Sequence, residues 1–372
     1  MVYIILVNWN GWRDTIECLE SVLRLQYQDF RVIVCDNAST DHSLDRIAQW
    51  AGGELAAECS NPKLRQHISP VFPKPVSYFR FSADEKISIV NRPERLFLIQ
   101  TGANLGFAGA NNIGLQLALE DSEMEYAWLL NNDTVVDSGA LSLLVERMRQ
   151  RPEAGMCGPT IFFYSTPETI QYQAGAEFNR WLVRVRPIGR GRSHADALPT
   201  DVVERKLQYV TGASMLVGRK FLEQVGPMNE DYFLYFEEID WATRALGRFT
   251  LAYSPNAHVY HKESATIGSR PDARRRSVVA DRFFSRGRFL YTRRYHPWCM
   301  PTVILVSGYA IVQRILRGLF PNARAIASAF RELVPYSSSS RRIPYIPSTH
   351  NELSYSAASA PSGEHRSSNK TA

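Results

Sequence analysis

The sequence predicts an α/β fold: a mostly parallel central sheet with helices on both faces, followed by a C-terminal helical extension. Two patterns predict it. Short apolar runs alternate with segments of helical spacing through the first half, and a polar cluster closes four of those runs in turn. With 372 residues, 45% of them hydrophobic, the chain can bury a sizeable core.

Val2 to Val7 is the first strand, broken by Asn8-Trp9-Asn10-Gly11. Asp14 to Leu25 follows as a helix, with Ile16, Leu19, Val22 and Leu23 at helical spacing. Phe30 to Cys35 is the second strand. It ends in Asp36-Asn37-Ala38-Ser39-Thr40-Asp41, small polar residues that suit a turn and a helix N-cap before Leu44 to Trp50. Leu96 to Gln100 is the third strand, followed by a Gly/Asn loop and a helix over Ile113 to Leu119. Tyr126 to Leu130 is the fourth, closed by Asn131-Asn132-Asp133. In sheets of this kind ligands bind at the carboxyl ends of the strands, where these polar clusters gather.

Gly52 to about Arg95 interrupts the rhythm. It is proline-rich, with weak strand signals near Val76 to Phe81 and Ile87 to Val90, and reads as an insertion. The expected organisation is a main domain over 1–265, a basic and amphipathic helical extension over 266–334, and a disordered Ser/Thr-rich tail over 335–372.

The five cysteines, Cys18, Cys35, Cys59, Cys157 and Cys299, are scattered without disulfide or zinc spacing, which suits a reducing compartment. Met1 runs straight into an apolar strand without a basic leader, so no signal peptide is expected and the location read is cytoplasmic. The formal net charge is +6, concentrated in nine arginines between Arg270 and Arg294, where only Asp272 and Asp281 oppose them. Such a block suits anionic lipid or a pyrophosphate; no nucleic-acid-binding motif accompanies it, so no nucleic-acid partner is expected. Pro297 to Gln313 carries no charged residue and is followed by Arg314 and Arg317 among apolar positions. It reads equally as a core or contact helix and as an amphipathic helix at the inner face of a cell membrane.

Three clusters bear chemistry. Asn131-Asn132-Asp133 puts a carboxylate and two amides at the open edge of the sheet, hard oxygen donors of the kind Mg²⁺ or Mn²⁺ takes; the plain alternative is a turn that satisfies its own backbone. Glu237-Glu238-Ile239-Asp240 follows the aromatic run Tyr232 to Phe236 and opens a helix. Acids belong in a first turn on dipole grounds alone, but a partly desolvated carboxylate there also suits a general base. Asn104-Leu105-Gly106-Phe107-Ala108-Gly109 offers small residues by which backbone amides approach a phosphate or sugar, or simply a turn; it is not a Walker loop. In Ala257-His258-Val259-Tyr260-His261, strand alternation sends the two histidines to opposite faces.

In their order along the chain these segments resemble the family 2 glycosyltransferases, in particular their rhamnosyltransferase-like branch. The matching segments are Val7-Asn8-Trp9-Asn10, Asp36 to Asp41, Asn104 to Phe107, Leu129 to Asp133, Gly212-Ala213-Ser214-Met215 and Glu237 to Asp240. The resemblance implies a GT-A fold, an inverting mechanism and a divalent metal, Mg²⁺ or Mn²⁺. By similarity Val7, Trp9 and Asp36 lie at the nucleotide base, and Asn104, Asn132, Gly212, Ala213 and Ser214 border the donor. Asp133 matches the metal-binding end of the family's Asp-x-Asp motif. Asn131 stands where many members have Asp, and His261 matches an additional ligand. Glu238 matches the catalytic base. Expected partners are a dTDP- or UDP-sugar, with rhamnose first, and a cell-surface glycan or lipid-linked acceptor in cell-envelope polysaccharide synthesis. The rival reading is a non-catalytic GT-A domain that binds nucleotide sugar or glycan. A processive synthase is disfavoured, since the Gln-x-x-Arg-Trp segment of those relatives is absent.

Overall fold

The computed structural model describes residues 1–85, 87–262 and 277–333. Four apolar runs of the first half are strands: β1 (Val2–Asn8), β2 (Phe30–Asp36), β4 (Leu96–Gln100) and β5 (Tyr126–Asn131), with β3 (Tyr78–Ser82) preceding β4. All pair in parallel, in the order β3-β4-β2-β1-β5. Both faces are covered, which is why the strands read as continuous apolar runs without polar alternation. Val2, Ile4 and Leu6 pack on one side against α1 (Trp12–Val22), α2 (Ser43–Gly52) and α5 (Ala140–Gln150). Tyr3 and Ile5 pack on the other, against α4 (Gly106–Leu119) and later helices.

The sheet then changes character. β6 (Thr134–Val136), β7 (Ala154–Phe163), β8 (Ile170–Gln173), β12 (Ser214–Gly218) and β13 (Thr250–His261) extend it as β5-β12-β7-β13-β6, with β8 also on β7. β12 runs antiparallel to both β5 and β7, whereas β13 is parallel to β7. The architecture is α/β, a large mixed sheet with C-terminal helices. A second small sheet holds β9 (Gly175–Asn179), β10 (Arg184–Pro187) and β11 (Tyr209–Val210). The remaining helices are α3 (Arg65–Ile68), α6 (Thr200–Lys206), α7 (Arg219–Val225), α8 (Glu237–Ala245), α9 (Val278–Tyr295), α10 (Met300–Leu316) and α11 (Phe320–Ser328).

Two expectations need correction. The Gly/Asn segment is not a loop before a helix at Ile113: α4 begins seven residues earlier, at Gly106. Glycine argues against helix in a sequence, but small residues here let the first two turns pack closely, with Ala108 and Ala110 fully buried. Ile87 to Val90 is not a strand. Arg31 takes the carbonyls of Ile89 (2.6 Å), Val90 (3.0 Å) and Arg92 (3.1 Å) and so holds that stretch irregular.

The Pro-rich excursion does supply β3 to the sheet edge. Its approach is fixed by buried Glu20, which accepts from Trp50 Nε1 (2.8 Å), the Phe72 amide (2.8 Å) and Lys74 Nζ (3.0 Å). The boundary expected at 265–266, four arginines of the basic block (Arg270, Arg274, Arg275 and Arg276) and the tail from Pro335 lie outside the described residues.

Candidate active site

The carboxyl ends of β1, β2 and β5 and the start of β12 meet at one edge, since Asn8 pairs with Asp36, Val7 with Asn131 and Ser214 with Leu130. A run of hydrogen bonds ties the polar clusters together there. Asn132 Nδ2 donates to Thr15 Oγ1 (2.9 Å), Thr15 donates to Asn8 Oδ1 (2.8 Å), and Asn8 Nδ2 donates to Asp36 Oδ1 (2.6 Å). Asp36 also accepts from Ser39 Oγ (2.6 Å), the Ser39 amide (3.1 Å) and Gln100 Nε2 (3.2 Å). Four donors on two oxygens fill the carboxylate's usual acceptor positions, so in this structure Asp36 organises its own loop. Val7 and Trp9 flank Asn8 at this edge and are partly exposed. Asn104 joins through Asn37, whose Nδ2 donates to Asn104 Oδ1 at 3.0 Å.

The candidate metal donors converge. Asp133 is 2% exposed, and its Oδ1 lies 3.2 Å from His261 Nε2; Asn131 Nδ2 is 3.3 Å from the same nitrogen. His261 Nδ1 sits 2.8 Å from Gln171 Oε1; with the proton of a neutral ring on Nδ1, Nε2 would be left to face a cation beside Asp133. A carboxylate, an amide and one imidazole fit a Mg²⁺ or Mn²⁺ ion. Among the described residues no three His, Cys, Asp or Glu side chains gather to hold a metal, so such an ion would complete its shell from diphosphate and water. His258 does lie on the opposite face, edge-on to Phe162 and 5.0 Å from the ring of His194.

Across the edge stands Glu238. Its Oε1 accepts the Gly212 amide at 3.0 Å, and the adjoining Ala213 carbonyl accepts the Asn131 amide at 3.0 Å, so one short segment touches both the base candidate and the metal candidate. A Cβ on Gly212 would lie 2.6 Å from Glu238 Oε1 and 3.0 Å from the Phe107 ring, which is why only glycine brings backbone this close. The Ser214 hydroxyl takes the Trp128 indole N–H at 2.9 Å, in the core rather than the cleft.

Burial raises the Glu238 carboxyl above the ordinary glutamate range, against the two backbone amides that oppose the shift. Glu237 is pushed up further, first by burial and then by the neighbouring Glu238 charge, and its Oε2 has no hydrogen-bond partner. Both carboxyls are thus held above the ordinary glutamate range, Glu237 with the added push of its neighbour's charge. Replacing Glu237 by Gln, a mimic of the protonated acid, is expected to leave transfer within about fivefold of the parent. Because the native carboxyl holds its proton more tightly than the unfolded one, it lowers stability increasingly as pH rises above about 4.5, until the native group itself ionises. The melting-temperature advantage of Glu237→Gln should therefore widen as pH rises above about 5; a gap that shrinks with pH would refute the assignment.

The turn before these acids is strained. Tyr235 and Phe236 adopt positive φ angles of 68° and 75°, costing on the order of 1–3 kcal/mol each for bulky L-residues. Helix α9 holds the turn in place. Phe233 stacks on Phe283 with centroids 4.6 Å apart, Arg294 pairs with Asp231 at 3.0 Å, and Tyr295 donates to fully buried Asp240 at 2.8 Å. Arg286 reaches the Asp231 carbonyl.

The sequence of Glycosyl transferase family 2 matches residues 3–65 and 82–226, more than half of the chain. The chain belongs to that family. This family 2 glycosyltransferase is 27% identical over 206 residues to N-acetylglucosaminyl-diphospho-decaprenol L-rhamnosyltransferase of Mycobacterium tuberculosis (strain ATCC 25618 / H37Rv), an alignment that takes in 49% of this chain. It is 26% identical over 159 residues, 40% of its length, to the low-salt glycan biosynthesis hexosyltransferase Agl10 of Haloferax volcanii. The glycosyltransferase spans 64% and 45% of those relatives' own lengths. Among solved structures, the mannosyltransferase PcManGT from Pyrobaculum calidifontis in complex with GDP-Man and Mn²⁺ aligns at a TM-score of 0.48 and 14% identity, covering 88% of this chain and 86% of that one.

Thr15, Gln171 and Lys262 join the site without a sequence signal. Lys262 pairs with Asp14 at 2.6 Å and with buried Glu17, while its amide donates to the Asp133 carbonyl at 3.0 Å; it anchors the end of β13 on α1.

Proposed function

We propose that this glycosyltransferase moves a hexose, rhamnose first, from a dTDP- or UDP-sugar to a hydroxyl of a cell-surface glycan or lipid-linked acceptor, with inversion. One observation carries the reading: residues 212–213 bond Glu238 on one side and Asn131 on the other, so a base and a cation-binding group flank a single cleft edge. Transfer needs a nucleophile relieved of its proton and a leaving diphosphate whose growing charge is met. Glu238 serves the first need. Asp133, His261 and Asn131 would hold Mg²⁺ or Mn²⁺, which supplies charge neutralisation at the diphosphate. The glycan relatives favour a glycan-building role, and the rhamnosyltransferase among them favours rhamnose.

The test is a panel of nucleotide sugars, each scored by thermal melting with and without Mn²⁺ and by nucleoside diphosphate release with a polyprenyl-linked sugar acceptor. A dTDP- or UDP-sugar should raise the melting temperature only with metal and turn over with acceptor. No shift and no release across the panel would sink the reading. Asp133→Asn is expected to weaken Mn²⁺-dependent nucleotide binding by at least about tenfold, measured by calorimetry, since losing a direct ligand should cost no less than losing a supporting one.

A further inference from the structure

Helix α10, with the turn before it, forms a 20-residue apolar stretch from Pro297 to Leu316 in which only Cys299, Val303, Ser307 and Arg314 are buried. A core helix of that composition would be covered. Here Leu305, Tyr309, Val312 and Leu316, spaced by four, three and four residues, line one exposed face; Leu305 is 72% and Leu316 81% exposed. Trp298 and Phe320 stand exposed at its two ends. The opposite face is fixed. Val303 and Ser307 are buried, and Arg314 forms a two-armed ion pair with buried Asp281 of α9 (2.9 and 3.1 Å), to which Asn322 of α11 also donates at 2.8 Å. This clamp sets the helix rotation and keeps the apolar ridge outward.

The charge along this stretch of chain is of one sign. No Asp or Glu occurs between Asp281 and Glu332, while Arg317, Arg324 and Arg331 are exposed. An apolar ridge with an indole and a phenol, on a stretch of chain that carries exposed arginines and no acids, is complementary to an anionic bilayer surface. The helix lies along that surface rather than through it, since it is clamped to α9, which carries Arg282, Arg286, Arg288, Arg293 and Arg294 and cannot follow it into hydrocarbon.

We infer that the Leu305–Tyr309–Val312–Leu316 face of α10 docks flat on an anionic phospholipid surface. The inference does not depend on donor or acceptor identity. The experiment is sedimentation of the full chain with vesicles of phosphatidylcholine alone or with one quarter phosphatidylglycerol. The parent should partition onto the anionic vesicles, with several-fold loss at 0.5 M salt. Leu305→Asp with Leu316→Asp should reduce partition at least tenfold while the circular dichroism spectrum stays unchanged, as expected for exposed positions. Arg317→Glu with Arg324→Glu should remove the preference for anionic lipid. Equal partition of parent and Asp variant would overturn the proposal. So would a parent dimer in lipid-free solution that the Asp substitutions dissolve, because the face would then belong to a second copy.

Discussion

Glu238→Gln is expected to lower sugar transfer about 10²–10⁴-fold while nucleotide binding, read as a metal-dependent melting shift, stays within about twofold of the parent. The size follows from the role: a positioned base contributes in the transition state and little in the ground state. The substitution is clean, because the Gln side-chain oxygen can still accept the Gly212 amide that Glu238 Oε1 accepts at 3.0 Å. The parent should also show an acid limb in kcat lying above the ordinary glutamate range, since burial raises the group that must be ionised to work. Turnover of the variant within tenfold of the parent would remove Glu238 from the chemistry.

Gly106→Ala is expected to cost about 3 kcal/mol or more of stability and to depress transfer by more than tenfold. Two terms add. The residue has φ +72°, and an L-residue in that conformation costs roughly 1–2 kcal/mol. Its Cβ would also lie 2.2 Å from the Phe233 carbonyl oxygen, the atom that accepts the Phe107 amide at 3.0 Å. Backbone must move, and the segment that moves leads directly into the strained turn before Glu238. Gly102→Ala isolates the first term, since its φ is +78° with nothing within 4 Å of the new methyl. Chemical denaturation of both variants decides: equal losses would show that the Phe233 contact carries no weight.

Four of the first five strands were legible, because apolar runs covered on both faces have no competing explanation at that length; β3, largely exposed at the sheet edge, gave only a weak signal. Asn131 to Asp133 stood out for the same reason, as polar residues ending such a run. The partners of those residues were hidden. Thr15 and Gln171 reach the site through hydrogen bonds spanning 117 and 90 positions, and neither residue type is unusual where it stands. The start of α4 was obscured by glycines whose use is close packing. The arginines after residue 280 read as a surface for anions, yet Arg286 and Arg294 contact the Asp231 segment, and Arg314 is spent on buried Asp281. Charge counts along a chain cannot separate arginines that face solvent from those that brace a turn.

Helix α9 lies beyond the stretch that matches the family, which stops at residue 226. Yet it supplies Phe283, Arg286, Arg294 and Tyr295 to the short piece of chain that aims Glu238. Trimming the protein back to its family-matching part would therefore discard Glu238 itself, the strained turn before it and the helix that holds that turn. A shortened chain that keeps Glu238 must keep α9 as well, or leave that turn without those four contacts.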